Sequence, residues 1–351
     1  MGGIRWYLML PALWLVLILI CPMEMPAAGF PYREALPGYR YQFPRDHFEH
    51  EQFRTEWWYY TGNVSDPRGK RFGFELVFFR IGARHETADK SAWVIQNVYL
   101  AHAALTDAAG KHFWYEERLN RAGPGIAGAS FAKQRIWNGN WSSQWNGERQ
   151  TLDAVTENFR FHLELQPAKG FVIHGENGIS QKAEGRGRAS HYVSFSRLDV
   201  TGKINESSVR GTAWMDHEWF TEQLADDQVG WDWFSVQLDN RTELMLFQLR
   251  RKDGSIDPYS SGTFVDADGK AHHLKKDDFS LQPLAKWQRY PIEWRIRVPS
   301  LKVDIICRAV LPNQELRGRA NYWEGAVDYS GTQKGVGYLE MTGYDKPVSF
   351  H

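Results

Sequence analysis

Short segments that alternate apolar and polar residues, separated by turn residues, run through most of this chain. Examples are EWWYYTGNV (56–64), RFGFELVFFRIG (71–82) and ENFRFHLELQP (157–167). Such alternation is typical of β-strands, and long patterns with the 3.6-residue period of a helix are scarce. The 16 Trp, 15 Tyr and 20 Phe residues favour strands and large apolar cavities. We therefore predict an all-β protein that folds as a sandwich or a barrel.

Two distant segments of the chain are similar to each other. WWYYTGNVSD (57–66) precedes an apolar strand that ends in arginine, FELVFFR (74–80), and WDWFSVQLDN (231–240) precedes LMLFQLR (244–250). Because the order and the terminal arginine both match, the pattern predicts a duplicated β-unit. The alternative is a chance similarity between two aromatic-rich hairpins.

The boundary between the two units is predicted from a polar, turn-rich segment, VTGKINESS (200–208). Segments of this composition are typical of connections between structural units. The predicted units are residues 29–204 and residues 205–351.

The first residues of the chain have the pattern of an export signal. Arg5 precedes an uncharged apolar run, WYLMLPALWLVLILICPM (6–23), which is short for a membrane-spanning helix and contains Pro11. We predict that residues 1–28 are a signal peptide or an N-terminal membrane anchor. The body of the protein is then exported, to a bacterial periplasm.

Charge and cysteine content exclude several classes of function. The 42 basic and 42 acidic side chains give a net charge of zero, which argues against a nucleic-acid-binding protein. The cysteines, Cys21 and Cys307, form no CxxC pair, and no HExxH or Walker A motif occurs. We therefore predict no metal site and no cofactor.

The strongest chemical motif is WMDHEW (214–219), in which three ionisable residues lie between tryptophans. In a strand, Trp214, Asp216 and Glu218 would share one face, and His217 would lie on the other. Burial among aromatic rings favours the neutral form of an acid, which can donate a proton. Asp216, His217 and Glu218 are therefore the candidate catalytic residues. The alternative is a structural network of ion pairs that closes a barrel.

Further candidates lie in strands of similar character. Glu56, Trp58 and Tyr60 would share one face of EWWYYTGN. Arg80 and Arg250 end apolar strands, where each could pair with a buried carboxylate. Either arginine is a possible partner for the acids of WMDHEW.

The last candidates lie in other apolar segments. His102 is a lone histidine in an apolar strand, where a hydrogen-bonded core histidine is the commoner case. Tyr322 and Glu324 belong to NYWEGAVDYSG (321–331), which lines a cavity or closes the second unit. The candidate ligand-contacting residues are Glu56, Trp58, Tyr60, Arg80, His102, Trp214, Trp231, Arg250, Tyr322 and Glu324.

Seven motifs together resemble one protein family. They are EWWYYTGN (56–63), FFR (78–80), AHAALTD (101–107), GTAWMDHEWF (211–220), GWDWFSVQL (230–238), YWEGAV (322–327) and GVGYLEMTGY (335–344). In this order they are similar to the AttH-like family, which is grouped with carotenoid 1,2-hydratase (hydroxyneurosporene synthase). The resemblance implies two consecutive lipocalin-like β-barrel units and an apolar ligand cavity.

The resemblance implies two kinds of function. AttH-like proteins are exported and are often associated with ABC-transporter permeases. We therefore expect an exported protein that binds a hydrophobic lipid- or isoprenoid-like ligand, with an ABC-transporter permease as partner. The alternative is a hydratase that adds water to an isoprenoid double bond without a cofactor.

In the hydratase alternative, the resemblance places Asp216 where the carotenoid hydratases keep an acidic proton donor. His217 or Glu218 would orient the attacking water. Aromatic rings such as those of Trp58 and Trp214 would stabilise the carbocation that forms.

Overall fold

The computed structural model describes residues 32–83, 95–123, 125–319 and 321–348. Within these ranges the chain is almost entirely β-structure, which confirms the predicted fold class. The helices there are three 3₁₀ turns, at Arg45–His47, Lys276–Asp278 and Pro299–Leu301. No helix in the described part of the chain is long and apolar enough to cross a membrane. The predicted signal peptide or anchor, residues 1–28, lies outside the described residues.

The first sheet contains 13 strands and curves into a nearly closed barrel. Its strands are β1 (Thr55–Ser65), β2 (Arg71–Gly82), β3 (Asn97–Asp107), β4 (His112–Arg121), β5 (Ala127–Ser130), β6 (Arg135–Asn138), β7 (Trp141–Asn146), β8 (Arg149–Val155), β9 (Arg160–Pro167), β10 (Val172–Ile173), β11 (Ser180–Gln181), β12 (Ala189–Ile204) and β13 (Ser207–Phe220). They pair in the order β4-β3-β2-β1-β13-β12-β9-β8-β7-β6-β5, with β10 and β11 also on β12. The amide of Asn138 on β6 donates to the carbonyl oxygen of Tyr99 on β3 (3.0 Å) and so helps to close the barrel.

The second sheet contains ten strands and forms a half-barrel. Its strands are β14 (Gln228–Leu238), β15 (Glu243–Arg251), β16 (Ser261–Val265), β17 (Ala271–Lys275), β18 (Ser280–Pro283), β21 (Glu293–Val298), β22 (Val303–Ala309), β23 (Glu315–Leu316), β24 (Tyr322–Gly331) and β25 (Gly335–Met341). They pair in the order β17-β16-β15-β14-β25-β24-β22-β21-β18, with β23 also on β24. A separate two-stranded ribbon consists of β19 (Lys286–Trp287) and β20 (Tyr290–Pro291).

In each sheet the first strand along the chain pairs with the last, because β1 pairs with β13 and β14 pairs with β25. The predicted boundary at residues 204/205 falls inside the first sheet, where Asn205 and Glu206 form the two-residue turn of the β12–β13 hairpin. Asn205 has a positive φ of 51°, as a tight hairpin turn requires. The polar segment is therefore a hairpin turn, and the chain passes to the second sheet between Phe220 and Gln228.

The outer faces of the two sheets pack against each other and form an apolar core between the sheets. Its buried members are Tyr59, Val77, Tyr192, Trp214, Trp233, Met245, Phe247, Leu249, Ala326 and Tyr338. Strands β1 and β13 thus bury both faces, one inside the first barrel and one between the sheets. This explains why EWWYY carries large side chains at consecutive positions instead of alternating with polar residues.

Candidate functional site

A cavity of about 230 Å³ lies between the two sheets. Its aromatic lining consists of Trp57, Tyr59, Phe79, Trp231, Trp233, Phe247 and Tyr322. The charged or titratable side chains in its wall, apart from the tyrosines, are His102, Lys182, Asp216, Glu218 and Glu340. A concave, mostly apolar space with a few polar groups is the usual form of a small-molecule site.

Asp216 is part of the wall of this cavity and lies opposite Tyr59 in the β1–β13 pairing. Its Oδ1 accepts hydrogen bonds from Trp214 Nε1 (2.6 Å) and Ser194 Oγ, and its Oδ2 accepts one from the Tyr192 hydroxyl (2.6 Å). Burial raises the pKa of Asp216 to about 7, although these three donors oppose the shift. Near neutral pH this carboxyl can therefore both give up and take up a proton.

Glu218 lies two residues further along β13 and faces the same cavity. Its Oε2 accepts a hydrogen bond from Ser190 Oγ (2.5 Å) and lies 3.8 Å from Lys182 Nζ. Burial raises the pKa of Glu218, and Lys182 opposes that shift. Burial also lowers the pKa of Lys182, whose Nζ lies 3.9 Å from the centroid of the Phe247 ring. Glu218 therefore has a weak cationic partner, whereas within the described residues Asp216 forms no ion pair with an arginine or a lysine.

A second polar group at the cavity is formed by His102 and Tyr322. The Tyr322 hydroxyl lies 2.6 Å from His102 Nδ1 and 3.0 Å from Glu75 Oε1. His102 Nε2 lies 3.2 Å from Glu117 Oε2 on the neighbouring strand. The lone histidine of β3 is thus hydrogen-bonded through both ring nitrogens.

Three buried glutamates surround this second polar group. Glu324 accepts a hydrogen bond from the Tyr59 hydroxyl (2.6 Å), and Glu340 accepts one from Trp231 Nε1 (3.2 Å). Burial raises the pKa of Glu75 and of Glu340 to about 8, and burial together with the nearby Glu75 raises that of Glu324 well above its usual range. This region therefore holds neutral carboxyl groups at pH 7.

Five of the predicted site residues lie inside the first barrel instead of on the cavity: Glu56, Trp58, Tyr60, Arg80 and His217. In the β1–β13 pairing, Trp57 lies opposite Glu218, whereas Trp58 lies opposite His217. The faces predicted for WMDHEW are the observed ones, but the cavity-facing residues of β1 are Trp57 and Tyr59. His217 lies on the barrel side of its strand, so it cannot orient a water in this cavity.

Arg80 pairs with Glu56 inside the first barrel and not with the acids of the cavity. Glu56 Oε2 accepts from Arg80 Nε (2.9 Å), and its Oε1 accepts from His50 Nδ1 (2.7 Å) and His217 Nε2 (2.8 Å). Burial alone would raise the pKa of Glu56, but His50 and Arg80 outweigh it and lower the pKa. His50, Glu56 and His217 are close enough to hold a metal ion. Both carboxylate oxygens of Glu56, however, already accept hydrogen bonds from the Arg80 guanidinium and from the two imidazoles. The arrangement is that of an ion-paired carboxylate.

Arg250 has a similar place in the second sheet. Its Nε lies 3.2 Å from Asp232 Oδ2, and its guanidinium lies 3.9 Å from the centroid of the Tyr344 ring. In each sheet, therefore, an arginine on the second strand pairs with an acid on the first strand. Neither arginine contacts Asp216 or Glu218.

Several residues of the site were not identified from the sequence: Glu75, Lys182, Tyr192, Ser194, Trp233 and Phe247. Ser194 lies opposite Asp216 in the β12–β13 pairing. Nothing in one sequence reveals that register, since the alternation of ASHYVSFSRLDVTG shows only which residues share a face. Lys182 lies in the short connection after β11, a segment with no recognisable motif.

The comparisons with known proteins agree with this architecture. The chain matches the family model described as AttH-like over residues 34–344. It is 33% identical to an AttH protein of Nitrosomonas europaea, with a TM-score of 0.80 over 89% of this chain and 99% of that chain. None of the curated proteins searched matches this chain.

Two more distant structures share the fold. Kievitone hydratase from Nectria haematococca is 14% identical, with a TM-score of 0.65 over 90% of this chain and 99% of that chain. CghA, solved with Sch210972, is 12% identical, with a TM-score of 0.52 over 92% of this chain and 97% of that chain. The family model matches nearly all of the described residues, and the Nitrosomonas structure is 33% identical. This chain therefore belongs to the AttH-like family.

Proposed function

We propose that this protein adds water to a carbon–carbon double bond of a hydrophobic, isoprenoid-like ligand bound between the two sheets. The observation that carries the proposal is Asp216, a buried acid with a pKa of about 7 in the wall of an aromatic-lined cavity. A general acid works best when its pKa is close to the working pH. The name of kievitone hydratase, which shares the fold, supports the reaction class.

The reaction needs a proton donor, a stabilised cation and a water molecule. The O–H bond of Asp216 breaks as a C–H bond forms at one alkene carbon, and positive charge develops on the other carbon. Tryptophan rings attract such a charge, and Trp57, Trp231 and Trp233 line the cavity. Water then forms the C–O bond and loses a proton, so the reaction needs no cofactor.

The hydrogen bonds of Asp216 assist the first step. Once the proton has left, the carboxylate keeps the three donors of Trp214, Ser194 and Tyr192. Hydrogen bonds to an ionised acceptor are stronger than those to a neutral one. The donors therefore stabilise the charge that develops on Asp216 during proton transfer.

The test is a hydration assay in H₂¹⁸O with a panel of acyclic isoprenoid alkenes. We expect one ¹⁸O atom in the alcohol product, and a rate about 10²–10⁴ times lower for Asp216→Asn. Asp153→Asn, at an exposed acid of β8 that pairs with His162, is the matched control and should keep the full rate. A wild-type protein that hydrates no alkene of the panel contradicts the proposal.

A second candidate function is carriage of a lipid-like ligand without reaction. It is favoured by the predominance of apolar side chains in the cavity wall. Native mass spectrometry of the purified protein, followed by lipid extraction, should then release an unchanged hydrophobic ligand. Recovery of a hydrated product from the wild type, but of the alkene from Asp216→Asn, contradicts a pure carrier.

For either function we propose export and an ABC-transporter permease as partner, as expected from the family. A fusion of residues 1–35 to alkaline phosphatase should be active in the periplasm, because Arg5 is followed by an uncharged apolar run. Retention of the fusion in the cytoplasm contradicts export. A permease gene beside this gene supports the partner, and co-purification of the two proteins tests it.

A further inference from the structure

A continuous chain of hydrogen bonds leads from the buried Glu75 to the protein surface. The Tyr322 hydroxyl connects Glu75 Oε1 (3.0 Å) to His102 Nδ1 (2.6 Å). His102 Nε2 lies 3.2 Å from Glu117 Oε2, and Arg319 donates to Glu117 through its backbone N–H (3.0 Å) and its guanidinium. The side chains of Glu117 and Arg319 are 14% and 61% exposed. Since His102 and Tyr322 also line the cavity, the chain connects the cavity to solvent.

The protons of this hydrogen-bond chain can be arranged in two ways. The Tyr322 hydroxyl has one proton and two partners, so it donates to only one of them. In the first arrangement Tyr322 donates to a neutral His102, and a protonated Glu75 donates to Tyr322. In the second, a doubly protonated His102 donates to Tyr322, which donates to a Glu75 carboxylate. The two arrangements contain the same number of protons; in the second, Glu75 has one proton fewer and His102 has one more.

The charges at the two ends differ. Burial raises the pKa of Glu75 to about 8, with Tyr322 opposing the shift, so this end is neutral at pH 7. The hydrogen bond from His102, followed by those from Arg319, lowers the pKa of Glu117, so the exposed end is a carboxylate. In both arrangements the carboxylate of Glu117 accepts the Nε2–H of His102 and stabilises an imidazolium.

Within the described residues, the other ring-bearing and titratable side chains beside His102 and Tyr322 in this hydrogen-bond chain are aromatic or acidic. The Phe79 ring lies 5.8 Å from the ring of His102. Glu324 and Glu340, which are neutral at pH 7, lie near Tyr322; when ionised they raise its pKa, after the larger effect of burial and of Glu75. A positive charge that arrives at His102 therefore meets aromatic rings, neutral carboxyl groups and the carboxylate of Glu117, and this carboxylate favours the transfer.

We propose that Glu75, Tyr322, His102 and Glu117 form a proton relay between the cavity and solvent, and that Tyr322 takes the proton released by the attacking water. The second part rests on the proposed hydration. An O–H bond of the water breaks as a new O–H bond forms at Tyr322. The former hydroxyl proton passes to His102 Nδ1, and the Nε2 proton of His102 leaves to solvent through Glu117. The cycle closes when Asp216 regains a proton from solvent.

The first test needs no substrate. In ¹⁵N NMR of histidine-labelled protein, assigned with His102→Gln, the His102 Nδ1 signal should shift as Glu75 titrates near pH 8, because Tyr322 then changes partner. Glu75→Gln and Tyr322→Phe should abolish this shift. Glu116→Gln is the matched control, since Glu116 precedes Glu117 on β4 and pairs with Arg118. A His102 signal that titrates identically in the wild type and in Glu75→Gln overturns the relay.

The second test is kinetic and uses the ¹⁸O assay. Tyr322→Phe should lower kcat about 10²-fold or more and leave KM unchanged, because the hydroxyl acts on the water and not on the ligand. His102→Gln should also lower kcat, and Glu75→Gln should remove the dependence of kcat on pH near 8. A wild-type kcat in Tyr322→Phe overturns the role of Tyr322. If the NMR shift occurs and no alkene is hydrated, the relay stands and the proposed hydration fails.

Discussion

Replacing Asp216 with asparagine should change the stability of the protein in a way that depends on pH. The pKa of this acid is 3.8 in an unfolded chain and is raised to about 7 by burial in the folded protein. The folded state therefore binds the proton more tightly than the unfolded state. For a carboxyl with a raised pKa, the contribution to stability is complete below pH 4 and is lost as the pH rises through 7.

The size of the effect follows from the two pKa values. A difference of about three pH units corresponds to about 4 kcal/mol at 1.36 kcal/mol per unit. Asparagine does not titrate, but its amide must replace one acceptor oxygen, which leaves a buried donor such as the Tyr192 hydroxyl without an acceptor. That loss costs about 1–3 kcal/mol at every pH. Relative to the wild type, the stability of the variant should thus rise by about 2–3 kcal/mol from pH 5 to pH 8, and the variant should be the more stable protein at pH 8.

Urea unfolding of both proteins at pH 5, 6, 7 and 8 measures this difference. Glu75, a buried acid whose pKa is raised by burial and not by Asp216, titrates in both proteins, so it cancels in the comparison. Asp153→Asn controls for the loss of an exposed acid and should follow the wild type. A constant difference between Asp216→Asn and the wild type across this range refutes the raised pKa.

Three further perturbations test other parts of the structure. Glu56→Gln should destabilise the protein by about 3–5 kcal/mol in urea unfolding, since it leaves Arg80 buried without its counterion. The control is Glu206→Gln, at an exposed partner of Arg160, which should change the free energy of unfolding by less than about 0.5 kcal/mol. Gly337→Ala should prevent normal pairing of β14 and β25, because its Cβ would lie 1.9 Å from the carbonyl oxygen of Ser235, while Gly170→Ala has no atom within 4 Å of the new Cβ and should melt like the wild type. Lys182→Met should raise the pKa of Glu218 further, as Lys182 now lowers it, and a ¹³C NMR titration of glutamate carboxyls that shows no such rise contradicts the pairing.

The strands could be predicted from the sequence, because alternation shows which residues share one face of a strand. The alternation within WMDHEW places Asp216 and Glu218 on one face and His217 on the other, as observed. What the sequence lacks is the identity of the face that meets the cavity. Both faces of β1 and β13 are buried, so hydrophobicity does not distinguish the barrel interior from the space between the sheets. Glu56 and Trp58 were therefore grouped with Asp216 although they lie on the barrel side.

The predicted boundary between the units lies at a hairpin turn for a related reason. A polar, turn-rich segment signals an exposed connection, but a hairpin turn within one sheet has the same composition as a connection between two sheets. The internal repeat was more informative, because it marks β1 and β14, the first strands of the two sheets along the chain. Long-range contacts such as that of Tyr322 with Glu75 join different sheets and leave no local pattern.

The central claim is that Asp216 protonates an alkene carbon in the cavity, and hydration in D₂O tests it most directly. The wild type should place one deuterium on the carbon next to the one that gains the hydroxyl group. Asp216→Asn should bind the same alkene, measured by quenching of cavity tryptophans such as Trp233, and form deuterated alcohol about 10²–10⁴ times more slowly. Deuterated alcohol formed by Asp216→Asn at the wild-type rate would contradict the account.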